Sequence, residues 1–413
     1  MSNDFKKAVL FVPFWRQSAH VGNNRVDRFR RWLIEEGYEL VIVLAGTREA
    51  VRYESWGQEI TVVDRLGLHP ESDPDEVKQL SNRKPNRFRR ALANWLFNPD
   101  PAIVWSKAAA RHPKVNDAMQ GAKFILSSSP PESAHVGAWL LSRKFSVPHI
   151  MDMRDGWLDE PLKPLLNSSA LRRWLESRLE SRIANHAMAI QVTSDIWKEL
   201  FDVRYPHLAN KTHILTNSYL PNMPNPNSLI LKAADEERVL IHAGRFMGSH
   251  MKREPELLME PLLKNLTNTH YKGVIRFYGD LSEQEVVRLE DYQPRFNSIN
   301  WRVEFHGSLP RAKMLDVMQN SDGLLLLSAS HAALPSKMFE YLATGLPIGY
   351  VAEVGCATEK LLKKIKSSIN LESESLSGIL EPDTFHGCIA PVEYSEPVLK
   401  RKFKEIYASN FNF

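Results

Sequence analysis

The chain has 413 residues, 43% hydrophobic and 25% charged, with a formal net charge of +4 and an isoelectric point near 8.8. That length predicts two domains, and the composition is that of a soluble globular protein. Two cysteines, Cys356 and Cys388, are too few for a disulfide framework or a thiolate metal cluster and fit a reducing compartment. No apolar run approaches a membrane-spanning length.

Lys6 and Lys7 precede an apolar stretch, Ala8 to Phe14, which Arg16 and Gln17 interrupt. No small-residue cleavage site follows, so the stretch reads as a first strand and not a leader. Arg16 to Asn24 is a loop. Val26 to Gly37 is a helix with Phe29, Leu33 and Ile34 on one side, and Tyr38 to Leu44 is the next strand. This βαβ start puts Gly22 in the first loop, where a backbone can approach a phosphate, although any tight turn could use a glycine there. Asn82 to Lys107 carries Arg83, Lys84, Arg87, Arg89 and Arg90, followed by Leu92, Trp95, Leu96 and Phe97. Residues 82–97 suit an anionic membrane surface. A solvated basic face over a buried apolar stripe is the plainer reading, and no nucleic-acid motif accompanies the charge.

Phe124 to Ser127 is a strand ending in SSSPPESAH, Ser133 to Phe145 a helix, and Val147 to Met151 a strand ending in MDMRDGW. These strand ends offer His135, Asp152, Arg154, Asp155 and Trp157 to one crevice. An acid, an arginine and a tryptophan there suit sugar hydroxyls and a sugar ring. The alternative is an ion-pair cluster around Arg154 and a satisfied histidine. Leu171 to Ala189 is a long helix of alternating Arg and Glu, expected to be exposed. Asn217 to Glu237, with Pro221, Pro224, Pro226 and four asparagines, is the clearest linker.

A second α/β series starts at Arg238. VLIHAG, Val239 to Gly244, is a strand with Arg245 at its tip and Lys252 and Arg253 in the following loop, and three cations around one strand end are a candidate diphosphate clamp. Further strands, Val274 to Tyr278 and Val303 to His306, end in Gly279 and Gly307, which leave room for a flat base. The apolar run Gly323 to Leu327 reads as a buried parallel strand. It leads into a helix with Ser336 as its N-cap, an apolar stripe of Phe339, Leu342 and Ala343, and a stop at Gly345 and Pro347. A helix N-terminus at a strand's carboxyl end favours anions, and Glu340, one turn in, can reach hydroxyls. An ordinary α/β repeat with a solvated Glu explains the same pattern.

Taken together, HAGR at 242–245, HGSLPRAKM at 306–314 and PSKMFEYLATGLPI at 335–348 resemble the GT-B glycosyltransferases of family 4. SSPPESAH and MDMRDGW are similar to a bacterial branch that makes cell-surface polysaccharides. The resemblance covers nearly the whole chain, least clearly Glu49 to Ser106. It implies an α/β fold of two Rossmann-like domains facing a central cleft. The acceptor domain would span 1–218, a linker 219–237, the donor domain 238–392, and a helix in 393–413 would return to the N-terminal domain. Arg245 with Lys252 or Arg253, the helix start at Ser336 and Lys337, and Gly22 would then hold a donor diphosphate. Gly307 and Leu309 would take the base and Glu340 the ribose. Asp155, His135 and Arg154 would sit nearest the chemistry, with Asp152 and Trp157 against the acceptor sugar. One departure stands out: the first Glu of the family's E-x7-E pattern is replaced by Ala332.

The expected reaction is glycosyl transfer from a nucleotide-diphosphate sugar to a glycan or lipid-linked glycan hydroxyl. The resemblance implies retention of anomeric configuration. No cofactor is expected, and no metal, because the basic groups supply the charge. The expected location is cytoplasmic, peripheral at the inner face of the cytoplasmic membrane. The rivals are a nucleotide-sugar 2-epimerase of the same fold and an inactive partner subunit, the latter motivated by Ala332.

Overall fold

The computed structural model describes residues 6–15, 22–65, 97–159, 170–219, 236–246, 254–380 and 391–408. The chain divides into two units, one of residues 1–215 with 403–413 and the other of residues 216–402.

The first unit starts with β1 (Lys6–Phe11), α1 (Gly22–Glu35) and β2 (Tyr38–Gly46). Then come β3 (Ala50–Glu54) and β4 (Gly57–Val63), α2 (Ile103–Arg111), α3 (Pro113–Met119), β5 (Ala122–Ser129), α4 (Ser133–Phe145) and β6 (His149–Met153). It continues with α5 (Ala170–His186), β7 (Ala189–Val192), α6 (Asp195–Arg204) and β8 (Thr212–Ile214). The strand order is β3-β4-β2-β1-β5-β6-β7-β8, parallel except where β3 runs against β4. β1 and β2 sit mid-sheet as nearly unbroken apolar runs because helices cover both faces. The order reverses between β1 and β5, the kind of crevice where such sheets bind ligands.

Two expectations change here. α1 begins four residues early, so Gly22 lies in its first turn and not in a loop; Arg25, in that turn, is drawn to a buried carboxylate on β6. The long helix α5 is not simply exposed. It buries Arg172, Glu176 and Glu180 and turns Leu171, Trp174 and Leu175 to solvent. The buried charges are all partnered: Arg172 with Glu176 and the carbonyls of Phe97 and Pro99, Glu180 with Arg204 and Tyr205.

The second unit contains β9 (Arg238–Ala243), α7 (Pro255–Thr267), β10 (Gly273–Tyr278), α8 (Glu283–Glu290), α9 (Gln293–Asn297), β11 (Trp301–Phe305) and α10 (Arg311–Gln319). It goes on through β12 (Gly323–Ser328), α11 (Ser336–Thr344), β13 (Ile348–Ala352), α12 (Ala357–Leu362), β14 (Ser368–Asn370) and α13 (Ser377–Leu380). Its sheet is wholly parallel in the order β11-β10-β9-β12-β13-β14, with the reversal between β9 and β12. One face packs on Leu258, Leu262 and Trp301, the other on Met338, Phe339, Tyr341 and Leu342.

The last helix, α14 (Glu396–Ala408), is shared: residues up to Lys402 belong to the second unit and those from Phe403 on to the first. Phe403 stacks on Phe29 with ring centroids 5.1 Å apart and edges onto Trp32, while Tyr407 packs on Phe124. Phe403→Ala removes the centre of that aromatic cluster and is expected to cost about 3–5 kcal/mol. Urea unfolding of the whole chain, followed by tryptophan fluorescence, measures it.

Candidate functional site

In the second unit, three neighbouring strands end in glycines of positive φ: Gly244 after β9, Gly279 after β10 and Gly307 after β11. Gly279 donates its N–H to Gly307 O at 2.8 Å, and Gly244 to Tyr278 O at 2.7 Å. A Cβ on Gly279 would lie 3.0 Å from the Gly244 carbonyl carbon, so these strand ends can pack this closely only without side chains. Polar groups gather over this glycine row. Lys337, in the first turn of α11, donates to Ala243 O at 2.9 Å and lies 3.4 Å from His242 Nε2. Tyr341 accepts from Ala243 N at 2.8 Å and donates to Leu325 O, tying α11 to the end of β9.

The other residues expected at a donor site are placed differently from one another. Arg245 is exposed and ion-paired with Asp280. Glu340 pairs with Arg311 at 2.7 Å; burial pushes its carboxyl up, and Arg311 opposes that shift. Leu309 is partly buried against the core under α11. Ser336 is not the N-cap: Pro335 holds that position without a capping side chain, and Ser336 is the first helical residue. Lys252 and Arg253 lie outside the described residues, as does the basic stretch 82–97 except for Phe97. Ala332 is buried. Asp280 and Arg311 were missed: Asp280 belongs to no quoted motif, and Arg311 sits within HGSLPRAKM without an assigned role, and the pairing of each shows only through its partner on another element.

In the first unit, three of the expected acceptor-side residues prove to be interior. Asp152 lies within β6, fully buried, because Arg25 donates to both its oxygens at 2.6–3.1 Å and Ser128 to one at 2.7 Å. Trp157 is 1% exposed and packs on His135, so its ring face meets protein and not a sugar. His135 is fully buried and shares the Ser127 hydroxyl with His149, each at 2.7 Å. Burial, with His135 second, holds His149 well below its usual value, which keeps that ring neutral. Arg154 and Asp155 remain at the strand end. Arg154 donates to Ser129 O and Pro130 O, and so braces the loop after β5. Asp155 is partly buried; burial raises its carboxyl and Arg154 pulls it back down. A carboxylate poised this way can take a proton. Asp100 caps α4 by accepting from Ser133 N and Oγ. Among the described residues, no three His, Cys, Asp or Glu side chains come together as a metal site.

Residues 22–217 match the family model of the Glycosyl transferase 4-like domain. No curated protein matches the chain in sequence. Among solved structures, it is similar to HepE from Anabaena in complex with UDP and glucose: 14% identity and a TM-score of 0.55 over 98% of this chain and all of that one. It is also similar to a UDP-forming α,α-trehalose-phosphate synthase from Burkholderia xenovorans: 10% identity and a TM-score of 0.60 over 97% of this chain and all of that one. A third is a glycosyltransferase from Rickettsia africae: 12% identity and a TM-score of 0.56 over 98% of each chain. At these identities the likeness is one of fold, and that fold is GT-B.

The two aspartates of the first unit are expected to part company on mutation. Asp152→Ala leaves Arg25 buried without its partner and is expected to destabilise by about 3–5 kcal/mol. Asp155 carries a raised carboxyl, so its charge costs stability once the pH exceeds its ordinary value. Asp155→Asn is therefore expected to match or exceed wild-type stability at neutral pH, with the difference closing in acid. Thermal unfolding of both variants across pH checks the pair.

Proposed function

We propose that this chain is a glycosyltransferase that moves a sugar from a nucleotide-diphosphate donor to a hydroxyl of a growing glycan; the match of residues 22–217 to the Glycosyl transferase 4-like domain and the GT-B fold support that reading. The observation that carries the reading is the convergence of Arg245, Lys337, Glu340 and three glycines at the carboxyl ends of β9, β10 and β11. In this reading the diphosphate displaces Asp280 from Arg245 and lies towards Lys337 and the N-terminus of α11, with Lys252 or Arg253 added from the loop. Glu340 takes the ribose, and the base lies along Gly307 and Leu309. Charge builds on the leaving phosphate as the glycosidic bond breaks, and fixed cations stabilise that charge most in the transition state. The leaving phosphate receives the acceptor's proton, configuration is retained, and Asp155 and Arg154 orient the acceptor. HepE was crystallised with UDP and with UDP-glucose, so UDP-sugars are the first donors to try.

The acceptor we propose is lipid-linked and destined for a bacterial surface polysaccharide, with the enzyme working peripherally at the inner face of the cytoplasmic membrane. No helix among the described residues is long and apolar enough to cross a membrane. Ala332 supports a second reading, an inactive partner subunit, since a methyl group cannot bond a sugar hydroxyl. Incubation with a panel of nucleotide sugars and a polyprenyl-linked glycan decides between them: released nucleoside diphosphate with a lengthened glycan supports the transferase, and no turnover with any donor overturns it.

Two substitutions test the donor site. Arg245→Ala is expected to weaken UDP binding by about 1.5–3 kcal/mol, because a charged hydrogen-bond partner is lost. Its thermal midpoint should hold, since an exposed pair with Asp280 contributes little. Glu340→Gln keeps the shape and removes the charge, and is expected to lower UDP affinity in the same calorimetric titration. A variant that binds normally and only melts earlier would make Glu340 structural.

A further inference from the structure

Helix α5 is built inside out. Its two carboxylates, Glu176 and Glu180, are buried, while Leu171, Trp174 and Leu175 are 66%, 50% and 43% exposed. At 3.6 residues per turn these three fall within an arc of about 100° together with the exposed Arg178 and Arg182, diametrically away from the buried side. The Arg178 guanidinium lies over the Trp174 ring, 4.4 Å from its centroid. The outward face thus presents two leucines, a tryptophan and two arginines with no acid among them.

We propose that this face of α5 docks the protein on an anionic lipid surface. The inference rests on the proposed work at a bilayer, and adds to it the surface that makes the contact. Tryptophan and leucine insert at the boundary between headgroup and acyl chain, and arginine stems lie along that boundary while their heads reach phosphates. Charge complementarity selects this occupant over a second copy of the chain. A two-fold contact through the same face would place Arg178 and Arg182 of both copies, four cations, in one interface, with Glu176 and Glu180 turned inwards and unable to oppose them.

The test uses the full chain, sedimented with vesicles of phosphatidylcholine alone or mixed equally with phosphatidylglycerol. Binding to the mixed vesicles only, weakening as salt is raised, is the expected result for wild type. Trp174→Ser with Leu175→Ser, and separately Arg178→Glu with Arg182→Glu, are each expected to weaken that binding about tenfold or more. Both double variants should keep wild-type circular dichroism and UDP affinity. The proposal fails if wild type ignores anionic vesicles at low salt. It fails if the Trp174/Leu175 variant binds as wild type does, and equally if that variant changes only the mass seen by light scattering, which would assign the face to a second copy. Nucleotide affinity and turnover on a soluble acceptor are read separately. Their loss with vesicle binding intact defeats the proposed reaction and supports this surface.

Discussion

The first unit depends on one ion pair sealed from water. Arg25 and Asp152 are 2% and 0% exposed, and dehydrating the two charges costs several kcal/mol each. Three guanidinium contacts and the Ser128 hydroxyl offset that cost. The pair ties the first turn of α1 to β6, next to the point where the strand order reverses. Beside it the Ser127 hydroxyl stands between two imidazoles, 2.7 Å from a ring nitrogen of His135 and of His149. Even Tyr407 of the final helix responds, its phenol pushed up first by burial and then by Asp152. The interior of this end is polar and threaded by hydrogen bonds, although the buried His149 Nδ1 has none among the described residues, so its geometry is set by hydrogen bonds as much as by packing.

The second unit solves a different problem at its strand ends. There the backbone is brought to the surface by removing side chains, and the charged groups around it are already partnered. Arg245 faces Asp280 and Glu340 faces Arg311. A diphosphate bound as proposed would exchange one set of contacts for another, so its net gain would be the difference between phosphate and carboxylate on Arg245. What the ion pairs secure is direction: Arg245 and Glu340 are each held in one orientation, which would pre-organise them for the proposed ligand.

Much of this was legible in the sequence where local pattern decides. β1, β12 and α4 follow from apolar runs and helical spacing, and α4 was placed to the residue. Lys337 and Arg245 were read from motifs whose members lie close along the chain. What escaped were residues whose meaning depends on a distant partner. Arg25 finds Asp152 across 127 positions, and no spacing rule connects them. The acid in MDMRDGW looked like a ligand for hydroxyls because its arginine partner could not be seen. Trp157 looked available for the same reason, since a strand-end aromatic reads alike whether it faces solvent or His135. The β3–β4 hairpin was passed over because its residues are mostly polar, although Gly57 marks it: a Cβ there would fall 2.0 Å from Leu40 O.

The shared helix α14 also sets a timetable for synthesis. On the ribosome, residues 1–215 are complete long before Phe403 is added, yet Phe29, Trp32 and Phe124 receive their last covering rings only from Phe403 and Tyr407. A nascent first unit therefore waits with an aromatic socket open while nearly 200 further residues are made. Such a surface attracts holdases or other unfinished chains. The native contact that finally fills it spans almost the whole chain, the kind of distant closure that slows folding.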